Sequence, residues 1–301
     1  MLSGLVFTLA LLQGPTSPYE LPIGRPGTWL LVPGRMTDMQ SYSPATADDV
    51  AKAAKDKRFV FLGESHATTP HQQMQASIID ALARSGRRVV VGMEMLQRPK
   101  QVVLDLWARG NVPENEFLEQ VEWKTQWGFD YSYYRPVFDV AQKYKIPVLG
   151  LNVPRDWVRA AGRGGLAGLP DDAKSQLPTD IDLTHKEHRT MFEALIGGHP
   201  NMTAQAFDNM YSAQVVWDEG MADTVAKHLA RSKPDLKTVY VIIAGSGHVM
   251  YGQGINYRLQ RRGLGEGVTV VMLDSNEPLR VSNGIADYVY VTPAANGQKM
   301  K

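Results

Sequence analysis

The chain has 301 residues, 44% hydrophobic and 21% charged, with a formal net charge of +1. This is the balance of an ordinary soluble globular protein, long enough for one large α/β domain or one domain with a sizeable insertion, and nothing global draws it to nucleic acid or an anionic membrane. The cysteine count of 0 excludes disulfides, Cys-zinc and iron–sulfur sites, covalent c-type haem, a thiol nucleophile and lipid anchoring through a cysteine of this chain.

In chain order, Leu5 to Leu12 is a short apolar run that exits into Gly-Pro-Thr-Ser-Pro. Residues 1–20 are therefore expected to be a signal or leader segment, and the protein to be exported to the periplasm or cell surface. No other run is long and apolar enough to span a bilayer. Thr46 to Lys57 predicts a surface helix with Thr46 as N-cap and Asp48 and Asp49 in its first turn. Arg58 to Gly63 reads as a buried strand. Met74, Ile78 and Leu82 repeat at helical spacing, with Gly86 as the stop. Arg88 to Met95 is a second buried strand, Pro99 to Gly110 a helix, and Arg135 to Pro154 a helix followed by a third strand.

The middle changes character. Residues 155–236 lack a β-branched apolar run and read as an all-helical subdomain, with the stretch RGGLAGLPDD (Arg163–Asp172) as a flexible joint. A buried strand returns in KTVYVIIAGSGH (Lys237–His248). A helix from Gly254 and strands at GVTVVML and DYVYVTP follow, and the tail AANGQKMK is expected to be disordered. Continuous apolar strands alternating with helices predict an α/β fold: a mainly parallel sheet flanked by helices, its core formed by residues 40–154 and 237–293, with the smaller helical subdomain inserted.

In such a sheet, ligands bind beyond the carboxyl ends of the strands. The first strand ends in Gly63-Glu64-Ser65-His66, the second carries Glu94, the third ends in Asn152 with Arg155 close behind, and AGSGH delivers His248. Taken singly, Glu64 could cap a turn, and His66 and His71 could be loop histidines bonded to backbone. Glu94 is harder to set aside, because a carboxylate at the end of an apolar strand must be paired, bound to a cation or shifted in pKa. Together these residues read as one functional cluster in a chain with only 7 His, and a divalent metal on Glu64, His66, Glu94 and His248 is a candidate reading. His185 and His188 form a weaker i, i+3 pair. The loop WGFDYSYYRP (Trp127–Pro136) is either a plug over the core or a face for a flat apolar ligand with a tyrosine to offer iron.

The segments FLGESHATTPHQQMQASII, VVVGMEML, WGFDYSYYRPVFDVAQKYKIPVLGLNVPR, YSAQVVWDEGMADTVA and VIIAGSGHVMYGQGINYRL stand in the order found in ChaN-like haem-binding proteins, relatives of the Tiki proteases and erythromycin esterases. The chain resembles that family over roughly Phe59 to Leu273. The GE-x-H, Glu and AG-x-GH set is superfamily-wide, whereas AQ-x-x-WDE-x-MA is closer to the ChaN-like branch. The resemblance implies haem binding in iron uptake by a homodimer, beside outer-membrane uptake machinery. It also implies a tyrosine on iron, with Tyr134 the first choice and Tyr211 the second, and His and Lys of the partner on the propionates. The protease and esterase relatives imply an alternative, a metal-dependent hydrolase: His66 or Glu94 would be the general base, and Glu64 and His248 metal ligands or electrostatic partners. His71, Asn152 and Arg155 would be secondary site residues.

Overall fold

A computed structural model describes residues 17–197 and 202–294. The expected leader up to residue 16 and the tail from residue 295 lie outside the described residues. In chain order the strands are β1 (Thr28–Leu31), β2 (Arg35–Asp38), β3 (Ser43–Ala45), β4 (Phe59–Glu64), β5 (Arg88–Gln97), β6 (Val148–Asn152), β7 (Thr238–Gly245), β8 (Gly267–Asp274), β9 (Leu279–Ser282) and β10 (Tyr288–Thr292). Eight of them form one sheet in the order β3-β2-β10-β8-β4-β7-β5-β6. From β10 to β6 every neighbouring pair is parallel, as the apolar runs predicted. The antiparallel edge of β2 and β3, and the separate β1–β9 pair, were not legible in sequence. These strands are three or four residues long, too short for a period of two to show.

The helices before the third long strand are α1 (Ala47–Ala53), α2 (Thr69–Arg84), α3 (Gln101–Ala108), α4 (Glu114–Gln120), α5 (Trp123–Gln126) and α6 (Arg135–Tyr144). Thr46 closes a capping box with Asp49 at the start of α1, which satisfies two backbone donors that a helix end leaves open. Between β6 and β7 lie α7 (Arg155–Gly164), α8 (Asp171–Gln176), α9 (Lys186–Leu195) and α10 (Ala204–Ser232), and α11 (Ile255–Arg261) follows β7. The expected flexible joint is instead an ordered turn and the start of α8, because Leu169 and Ala173 are buried against Trp157 and Val158 of α7.

Successive residues of a strand point to opposite faces, and both faces of this sheet are covered. Val60 and Leu62 of β4 join the core beneath α2 and α6, while Phe59 and Phe61 join the core beneath α10 and α11. Helix α10 packs tightly at Gly220 on the residue that follows β6: a Cβ there would stand 2.2 Å from Val153 Cγ1. Gly220→Ala should therefore lower stability even though alanine is the better helix former by about 1 kcal/mol, since overpacking costs about 1–3 kcal/mol. Thermal denaturation is expected to show a lower Tm, and a smaller penalty for the same change in a Val153→Ala background. A rise in Tm would refute the close contact.

Candidate functional site

The site is positioned by sheet register. In the order β4-β7-β5, Glu64 pairs with Gly245, and Met93 pairs with Ile243 one residue before Glu94. Register thus sets Glu64, Gly245 and Glu94 side by side; β4 and β7 end there, whereas β5 runs on to Gln97 past an irregularity after Met93, so Glu94 lies within its strand and not at its end. His66 follows β4 by two residues, and His248 follows β7 in a short 3₁₀ turn over Ser246–His248. The four residues picked out in sequence are brought together around one edge.

Glu64 is buried and its carboxylate accepts four hydrogen bonds. Tyr134 Oη donates to Oε1 at 2.7 Å and His66 Nδ1 to the same oxygen at 2.9 Å, while Gln72 and Gln75 donate to Oε2 at 2.8 and 2.7 Å. That set satisfies a buried anion without a metal. His66 donates through Nδ1, which leaves Nε2 as its free nitrogen, and its side chain remains 32% exposed. Burial disfavours its charged form, but the Glu64 hydrogen bond and the charges of Glu94 and Glu64 outweigh burial, so its pKa is raised. Trp127 meets the ring edge-on at 4.7 Å, and Phe129 lies at 6.0 Å.

Glu94 accepts from the backbone N–H of Gly245 at 2.7 Å, and its Oε1 is 3.5 Å from His248 Nε2. Burial would raise its pKa, but the His248 charge and contact overcome this and hold it at about 2. The other nitrogen of His248, Nδ1, donates to Asp218 Oδ1 at 2.6 Å. Burial opposes the charge on His248, but the flanking carboxylates of Glu94 and Asp218 push its pKa up to about 10. Gly245 keeps the edge open: a Cβ there would stand 3.1 Å from His66 Cε1, 3.2 Å from His66 Nε2 and 3.7 Å from Glu94 Oε2.

This geometry lends the metal reading no support. Among the described residues, no group of three or more His, Asp and Glu side chains is placed to hold a metal ion. Both oxygens of Glu64 are engaged by donors, and a histidine between two carboxylates has its lone pairs protonated rather than free to ligate. The two tyrosines proposed for iron do not fit that role as they stand. Tyr134 is 0% exposed with its hydroxyl on Glu64, and burial and that carboxylate push its pKa far up. Tyr211 is 1% exposed, with its hydroxyl 3.0 Å from His188 Nδ1 and 3.3 Å from the His185 carbonyl.

The secondary candidates divide. Asn152 belongs to the edge and donates to the Glu94 carbonyl at 2.9 Å. Arg155 opens α7 and donates to the Thr125 carbonyl. His71 lies buried inside α2, accepts from the Ser65 N–H at 3.1 Å and meets Thr292 Oγ1 at 3.0 Å, so it pins the strand exit instead of facing outward. His185 stacks on Tyr257 at 4.0 Å while His188 turns inward to Asp218, so the pair does not act together. In the tyrosine loop, Tyr131 and Tyr134 plug the core, as one of its two readings had it, and Trp127 and Phe129 wall His66. The residues missed are Gln72, Gln75, Gln214, Trp217 and Asp218. Gln72 and Gln75 were detectable as two polar side chains on the apolar face of α2, and the last three lie in the AQ-x-x-WDE segment.

The paired charges predict a pH profile. His248 has its folded pKa raised from 6.5 to about 10, so its contribution is complete below pH 6.5 and is lost as pH climbs through about 10. Glu94 has its pKa lowered from 4.5 to about 2, so its contribution is complete above pH 4.5 and is lost as pH falls through about 2. Stability from this pair should peak between those unfolded values and fall on the alkaline side. His248→Gln should cost about 3–5 kcal/mol near pH 6, because it strands two buried carboxylates, and should flatten the alkaline fall. Urea unfolding of both proteins at several pH values checks this; parallel profiles would refute it.

Comparisons with known proteins agree with this architecture. A comparison with curated protein sequences gives no match. The structure is similar to one described as cofacial heme binding to ChaN of Campylobacter jejuni, with a TM-score of 0.63 and 21% identity over 86% of this chain and 98% of that one. It is also similar to the type III effector HopBA1, with a TM-score of 0.51 and 10% identity over 91% of this chain and 99% of that one. At these identities the likeness is one of fold. The sequence itself matches the family described as haem-binding uptake, Tiki superfamily, ChaN over residues 50–259, a span that takes in Glu64, His66, Glu94, Asp218 and His248, and the chain therefore belongs to that family.

Proposed function

We propose that this protein binds haem in the service of haem or iron uptake, as an exported homodimer. The observation that carries the reading is family membership across residues 50–259. The aromatic wall of Trp127 and Phe129 beside His66 suits a flat apolar ring. The paired carboxylates at the edge are compatible with haem propionates nearby, because Glu64 faces four donors and Glu94 faces His248 and a backbone N–H. The committed hydroxyls of Tyr134 and Tyr211 favour a shared arrangement in which a second copy supplies groups that one chain lacks. No helix among the described residues is long and apolar enough to cross a membrane.

Titration of the purified protein with haemin should give a saturable change in the visible spectrum and a shift to dimer in sedimentation. Tyr134→Phe and Tyr211→Phe are expected to keep the spectrum. Its loss in either one would restore that tyrosine as the iron ligand, and absence of saturable binding in the wild type would sink the reading.

A second reading is favoured by one specific feature. His66 has Nδ1 held by a buried carboxylate and Nε2 free at an opening that Gly245 keeps clear, which is the arrangement of an oriented general base. It would activate water for hydrolysis without a metal. With p-nitrophenyl acetate as probe and chelator present, hydrolysis should fall about 100-fold or more in His66→Ala. It should also fall in Gly245→Ala, whose added methyl displaces the ring, with Tm little changed. Rates equal to those of the uncatalysed ester in wild type would dismiss this reading.

A further inference from the structure

Helix α10 presents Gln214, Trp217 and Asp218 at i, i+3 and i+4, so all three share one face. That face closes on His248. Asp218 Oδ1 accepts a hydrogen bond from Nδ1–H at 2.6 Å, the Gln214 amide lies 3.0 Å from the same nitrogen, and the Trp217 ring stands edge-on at 5.7 Å and 86°. Asp218 is itself 0% exposed. Its Oδ2 has His188 Nε2 at 3.1 Å from α9 and Arg258 Nη1 at 3.6 Å from α11. Arg258 is also fully buried and is fixed by the carbonyls of Gln253 and Gly254. A carboxylate this deep is costly unless donors or cations surround it; here Oδ1 has the His248 hydrogen bond, while Oδ2 makes no hydrogen bond and has the Arg258 cation and the His188 ring within ion-pair distance.

We propose that Asp218 is the positioning residue of this site: it pins the His248 imidazole through Nδ1 and aims Nε2 at Glu94, which makes His248 a fixed hydrogen-bond donor and leaves His66 as the group that exchanges protons. The assignment deepens the acid–base reading and takes its functional meaning from it. The geometry behind it is one of opposed partners. His248 has a carboxylate on each nitrogen, 2.6 and 3.5 Å away, so both nitrogens carry protons. His66 has a carboxylate on one nitrogen only. The groups facing His248 are Glu94 from β5, Asp218 and Gln214 from α10, and His66 from the exit of β4, with His188 and Arg258 behind Asp218. The two carboxylates outweigh the opposing charge of His66, in line with a His248 pKa of about 10.

The test is a pH titration of the histidine ring nitrogens by NMR on the whole chain, which needs neither substrate nor haem. In wild type, the His248 ring should stay doubly protonated well past neutral pH, while His66, itself raised above the ordinary histidine value, loses its proton at a lower pH than His248. Asp218→Asn should bring the His248 titration down by about two pH units or more and leave that of His66 nearly unmoved, and Asp218→Glu should restore part of the shift. Titration of His248 near its ordinary value in the wild type would overturn the proposal without recourse to any variant. So would an unmoved His248 in a folded Asp218→Asn protein. Failure of ester hydrolysis would remove the acid–base reading and leave this titration to stand or fall by itself.

Discussion

Glu64, Glu94 and Asp218 are carboxylates buried around the edge that carries His66 and His248. Charge taken out of water is costly unless donors or cations surround it, and the structure around this edge is organised by that requirement. Glu64 draws in two glutamines from α2, a tyrosine from the loop before α6 and the histidine that follows its own strand. Glu94 and Asp218 share His248, and Asp218 also faces His188 and Arg258. The partners come from several elements, so pairing these anions also fixes how α2, α9, α10 and α11 sit against the sheet.

The same requirement assigns different roles to two histidines of like chemistry. His248 lies between two carboxylates and is held as a cation. His66 has one carboxylate behind it, an aromatic wall beside it and a free nitrogen toward the opening. One of the pair is locked and the other can respond to what arrives. That asymmetry serves either a bound ligand or an activated water, since both need a rigid, precharged surround and a single exchangeable group.

Family membership and site geometry bear on different questions. The family assigns the chain to haem-binding uptake proteins over most of its core. The geometry shows Tyr134 engaged with Glu64 and Tyr211 with His188 and the His185 carbonyl, and shows Glu64, Glu94 and His248 paired with protein groups. Tyr134 illustrates why the two were hard to separate in advance: a tyrosine in an aromatic loop has the chemistry of an iron ligand, but here its hydroxyl is one of the four donors that make Glu64 tolerable.

The sequence by itself determined the parallel sheet, because long apolar strands buried on both faces leave no other solution, and it determined that Glu64, His66, Glu94 and His248 share an edge, because parallel strands end on the same side. It also carried the WDE segment without a stated purpose. Only the tertiary structure decided the rest. The order β4-β7-β5 is set by crossovers that no local pattern encodes, and it is this order that makes Gly245 the gap between His66 and Glu94. Asp218 reaches His248 from 30 residues away in sequence, and its burial depends on helices that pack together only after the chain has folded. Whether a carboxylate binds a metal, caps a turn or charges a histidine is fixed by which donors surround it, and those donors are assembled in three dimensions.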